Sequence, residues 1–189
     1  MERRLFLKTV TAAAPAVGLQ AFLLDQALAQ TPAPQSQSSP HVVGFGEDRF
    51  GHPRSLGFSS ILFKVPASET AGGLFVMEHR HLMPGGPPLH LHLSQEEWFY
   101  VIEGEVAFQV GEQRVQLKAG ESVLAPRRVP HTFSSVGPTP GRLLIAFCPA
   151  GKMEQYFLDA ENNRAAAGSA EFMRRYEMEF VGPSPFWKS

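Results

Sequence analysis

Between Ser59 and Pro149 the chain never holds one pattern for long: short alternating or apolar segments are each cut off by glycine or proline. "SSILFKV" (59–65) and "GLFVMEHRHLM" (73–83) come first, then "EVAFQV" and "RVQLK", and finally "SVLAP", "HTFSSV" and "RLLIAFCP". "PGGPP", "RRVP" and "GPTPG" punctuate the series. Such segments read as strands, and Gly111-Glu112-Gln113 marks a hairpin. A run of strands this short closes as an antiparallel barrel or sandwich. The 16 prolines and 17 glycines among 189 residues suit that architecture better than long helices. The predicted class is therefore all-β, with the barrel over residues 42–150.

After Pro149 the period changes. Met153, Tyr156 and Phe157, then Phe172, Met173, Tyr176 and Phe180, recur at helical spacing. Residues 151–189 are expected to be a short helical tail that caps the barrel or a partner subunit. A 43% hydrophobic composition supports a real core. Seventeen basic against 18 acidic residues, with no basic stripe, argue against a nucleic-acid partner. The lone cysteine, Cys148, sits in an apolar run and is expected to be a small core residue.

The first residues read as an address. Arg3 and Arg4 precede a mildly apolar segment, Val10 to Leu24, and Ala27-x-Ala29 offers the small residues a signal peptidase needs. The arginine pair followed by Phe6-Leu7-Lys8 resembles a twin-arginine export signal. The apolar run is too short for a membrane span, which takes about 20 residues. Residues 1–29 are expected to be a signal and 30–41 a flexible linker rich in Pro, Ser and Gln, which places the mature chain in the periplasm or outside the cell. A protein exported folded through the twin-arginine machinery can take its metal before copper and zinc compete for it.

One stretch carries chemistry. His90 and His92 are two apart, so on a strand both imidazoles face one side, roughly 7 Å apart at the backbone. Glu97 is an odd number of positions further on, but the polar Ser94-Gln95 fits a turn that aims it back at the pair. His131 opens a later strand behind "RRVP". Three neutral imidazoles and a carboxylate suit iron, manganese, nickel, copper or zinc, and suit calcium or magnesium poorly. His-x-His alone is a weak signal, because histidines on strands commonly serve as hydrogen-bonded core or surface residues.

Spacing to the glycines and prolines adds discrimination. His90-x-His92 is followed after four residues by Glu97 and after six more by Gly104, with Gly85 ahead of the pair. Gly120, Pro126 and His131 form a second series, with Arg128 and Ser135 at its variable places. On these residues the chain, from about Ile61 to Gly151, resembles the cupin superfamily. Arg128 stands where that family usually has glycine and Ser135 where it usually has asparagine. The phrases "PGGPPLHLH", "FYVIEGE" and "PRRVPHTF" are most similar to single-domain cupins of the quercetin-dioxygenase type.

The resemblance implies a jelly-roll β-barrel in which His90, His92, Glu97 and His131 hold one divalent transition metal. Iron, manganese or nickel come first, copper, cobalt or zinc second. It also implies a homodimer. In cupin dioxygenases the matching glutamate takes a substrate hydroxyl proton, which makes Glu97 the candidate catalytic residue. The implied activity is a dioxygenase using dioxygen on a small phenolic, enolic or diketone substrate. The alternatives are a metal- and ligand-binding or sensing module without turnover, and a cupin isomerase, decarboxylase or oxalate- or superoxide-converting enzyme.

If Glu97 faces inward, so do Phe99 and Val101, and Phe133 shares the face of His131. With Met77 these are the expected lining of an apolar substrate pocket. His79 and His81 form a second His-x-His pair, but no Glu or later His follows at the family spacing. They are expected in the barrel wall or at the surface, with the alternative that one shares the cavity with Met77. His41 and His52 are expected to be solvated.

Overall fold

Residues 40–187 are described in a computed structural model, in which eleven strands build two antiparallel sheets. The six-stranded sheet runs β1 (Arg54–Ser55), β2 (Ser60–Val65), β3 (Phe75–Leu82), β10 (Gly141–Cys148), β5 (Glu96–Glu103), β8 (Ser122–Ala125). The five-stranded sheet runs β11 (Met178–Gly182), β4 (Leu89–His92), β9 (His131–Ser135), β6 (Glu105–Val110), β7 (Gln113–Lys118). From β3 onward the chain passes repeatedly from one sheet to the other, and the result is the predicted antiparallel jelly roll. Arg3, Arg4, Ala27, Ala29 and nearly all of the expected linker lie outside the described residues.

Alternation decides which side chains face the core. On β5, Glu97, Phe99 and Val101 are buried while Trp98 is exposed and Tyr100 and Ile102 are half-buried, as a period of two requires. Phe63, Phe75, Phe99, Phe108 and Phe147 are fully buried between the sheets. Each such ring contributes about 2–3 kcal/mol by leaving water. β10 is paired on both sides, to β3 and β5, and forms the spine of its sheet.

The same alternation corrects the reading of Cys148. Phe147 points in, so Cys148, the last residue of β10, points out and is exposed. His41 and His52 are exposed, as expected.

The tail begins with two helices, α1 (Met153–Asn162) and α2 (Ala170–Arg175). Met153, Tyr156, Phe157 and Ala160 form the buried face of α1, and Ser169 caps α2 by accepting from the Phe172 N–H. The helical stripe read through to Phe180 does not hold. Tyr176 ends the helix, Glu177 turns into the left-handed region at φ 61°, and Met178–Gly182 becomes β11. The reason is tertiary: β11 completes the open side of β4, with Met178 opposite His92 and Phe180 opposite His90.

Candidate metal centre

Local structure delivers each ligand. Leu89–His92 alternates half-buried and buried, which turns His90 and His92 inward together. The loop before them is pressed against β9. At Gly86 (φ 66°) a Cβ would lie 1.7 Å from the Phe133 carbonyl oxygen, so only glycine fits there. Sequence spacing had singled out Gly85, whose N–H donates to Ser134 Oγ at 3.0 Å. A bend at Leu93-Ser94 reverses the face, and β5 presents Glu97 to the pair.

Arg128 takes φ 65°, the conformation that glycine usually supplies at that place, and its N–H donates to the His92 carbonyl at 2.7 Å. The "RRVP" turn is thus tied to β4 just before His131 opens β9 opposite His90. All four side chains are buried, and one ligand atom from each falls within 4.8 Å of the others. Glu96 points the other way and makes two contacts of 2.5 Å with Arg127, so of the adjacent pair it is Glu97 that joins the cluster.

The hydrogen bonds assign the ring nitrogens. Nδ1 of His90 lies 2.9 Å from the Pro88 carbonyl and Nδ1 of His131 lies 2.9 Å from that of Val129. A carbonyl only accepts, so both rings carry their proton on Nδ1 and turn the Nε2 lone pair to the centre. Yet His131 Nε2 sits 2.8 Å, and His92 Nε2 2.9 Å, from the same oxygen, Oε2 of Glu97. A ring nitrogen this close to a carboxylate oxygen has a proton or a cation between them, and for His131, whose proton is on Nδ1, a metal cation fills that place with the ring neutral. Three imidazoles and a carboxylate with two tautomers fixed from behind are the donor set of a transition-metal site.

Burial drives the histidine pKa down to about 3 at His90, helped by the neighbouring His131 and His92, and lowers that of His92 as well. Burial would raise the pKa of Glu97, but the His131 and His92 nitrogens beside it overcome that and hold the carboxyl well below the ordinary range. Neutral imidazoles around an ionised carboxylate are the protonation states that a metal needs.

A cavity of about 40 Å³ opens onto the cluster, room for about three waters. Met77 and Phe133 line it as expected, whereas Phe99 and Val101 do not. Those two face inward but pack in the barrel core behind the ligands, Phe99 against His131, Phe108 and Phe133. Five more wall residues come from the tail, which sequence reasoning had kept apart from the pocket: Met153, Tyr156, Phe157, Met173 and Met178. His79 lines it too, so the alternative reading of that residue is the correct one, while His81 is exposed. A wider cleft of about 470 Å³ abuts the cavity across Leu56, Phe58, Pro87 and Tyr156, and carries Arg164 and Trp187 on its far side.

Residues 78–147 match a family model described as "Cupin domain". An RmlC-like cupin from Shewanella frigidimarina has a similar fold, with a TM-score of 0.50 and 22% identity, covering 62% of this chain and 96% of that one. The oxidoreductase iacF of Pestalotiopsis fici is 31% identical over 130 residues, 64% of this chain and 62% of that protein. An uncharacterized protein of Methanocaldococcus jannaschii is 28% identical over 61 residues, 32% of this chain and 49% of its own length. The chain thus spans between half and two thirds of these curated relatives. The match is to a cupin domain over residues 78–147, and the structural neighbour shows a similar fold.

Proposed function

We propose that this cupin-type protein is a metal-dependent oxygenase that oxidises or opens a small phenolic, enolic or diketone substrate. The observation that carries the reading is the cluster itself, four convergent buried ligands, three of which open onto a largely apolar cavity. Held by His90, His92, Glu97 and His131, a divalent iron, manganese or nickel ion would supply Lewis acidity and a place for dioxygen and substrate to meet.

The protein's own part is protonic and spatial. Glu97 is ionised and shares Oε2 between two histidines, so on loosening from them it can accept a hydroxyl proton from an enol or phenol, leaving the enolate. The carbonyls of Pro88 and Val129 keep two rings in register while this happens. Apolar walls of Met77, Phe133, Phe147 and Phe157 keep water from the anion. The cavity and the adjoining cleft share Leu56, Phe58, Pro87 and Tyr156, so a substrate held at the ligands can extend into the cleft. The oxidoreductase among the relatives fits this class. The proposal extends to export by the twin-arginine route and to a homodimer, for which the exposed cross-strand neighbours Trp98 and Leu124 offer an apolar face.

Elemental analysis of natively exported wild type and His131→Ala, followed by dioxygen uptake with quercetin and with 2,4-pentanedione, tests the reading. Stoichiometric metal that the variant loses, with dioxygen consumed, supports it. No metal, or equal metal in both, sinks the ligand set. Metal without uptake on either compound moves a binding or sensing role to the front.

A further inference from the structure

Outside the ligand set, the cavity wall has two polar side chains, Tyr156 and His79. The Tyr156 hydroxyl donates to the Ala167 carbonyl at 3.1 Å. His79 is 2% exposed and lies 2.7 Å through Nδ1 from Ser59 Oγ, itself buried. Three rings fix its plane: Phe58 stacked at 6.2 Å, and Phe133 and Phe157 edge-on at 5.7 and 6.4 Å. Its Nε2 bonds to none of the described residues. The ring lines the cavity, so this nitrogen is open to hydrogen-bond a ligand there. Burial lowers its pKa to about 4, against the opposing pull of Glu97, so the ring meets a ligand as a neutral donor or acceptor.

We propose that His79, held in place by Ser59, is a specificity residue whose Nε2 anchors a hydroxyl or carbonyl on the substrate remote from the oxygens at the ligand cluster. The preferred substrates are then small aromatic or unsaturated compounds with oxygen functions at both ends, separated by an apolar middle that packs against Met77 and Phe133. This rests on the cavity being the substrate site.

The test compares 1,2,4-trihydroxybenzene with 4-methylcatechol, bound without oxygen to cobalt-loaded protein and followed by calorimetry. Both present a catechol to the metal, and only the first has a remote hydroxyl. Wild type should prefer it by about tenfold. His79→Phe should keep its cobalt and melting temperature but bind the two alike, and His79→Gln, which retains a donor and an acceptor, should keep part of the preference. Ser59→Ala should reduce the preference and Ser59→Thr should preserve it. A wild type without preference, or a His79→Phe variant that keeps it, overturns the role of His79 alone. Cobalt-loaded wild type that binds neither compound overturns the small-molecule reading as well.

Discussion

The chain has two His-x-His pairs, His79-Arg80-His81 and His90-Leu91-His92, and only the second stays on one face. Between His90 and His92 the ladder with β11 is regular, so both rings point inward. On β3 the register with β10 slips between Gly141 and Leu143, and His81 takes φ 52°. β3 spends three positions there against two on β10, and that one extra residue in β3 sends His79 into the cavity and His81 to solvent. A spacing of two reports a shared face only where the sheet is free of bulges.

The largest effect that separates the pairs is metal retention. His90→Ala should bring metal content from about one equivalent to near zero, and His81→Ala should leave it unchanged, as read by elemental analysis.

Next in size is the loop that sets the working pair. Gly86→Ala would drive a Cβ into the Phe133 carbonyl, displacing β9 and with it His131. A loss of about 3 kcal/mol in urea unfolding is expected, with weakened metal binding.

Acid should also tell the two pairs apart. His79 keeps a folded pKa near 4 against 6.5 for the free side chain, so the unfolded chain takes up a proton that the native state refuses. That stability is complete above pH 6.5 and is lost as the pH falls towards 4, by at most about 1.4 kcal/mol per unit. Metal-free His79→Phe should lose stability less steeply over that window, as read by urea unfolding at each pH. Smallest of all, His81→Gly should stabilise the protein by about 0.5 kcal/mol, because glycine takes φ 52° without strain.

The ligand set was legible because its determinants are local: alternation for His90 and His92, a polar turn before Glu97, a proline ahead of His131. Glu97 over Glu96 followed from spacing to Gly104, and the Glu96–Arg127 pair on the outer side agrees. What stayed hidden depends on contacts between distant segments. Nothing in "EMEFVG" announces that β4 needs a partner, and Phe99 and Val101 face inward whether or not the space before them is a cavity. Cys148 was misjudged because an apolar run says nothing about which residue of the strand faces out.

β4 pairs with β9 only at His90 and His131, but with β11 along four residue pairs. The strand bearing two of the four ligands is thus held chiefly by residues 178–182, far downstream of His131. On the ribosome all four ligands emerge before the segment that braces two of them. A metal bound by these four residues would therefore be braced on the β4 side only after residues 178–182 have been made and have closed their ladder.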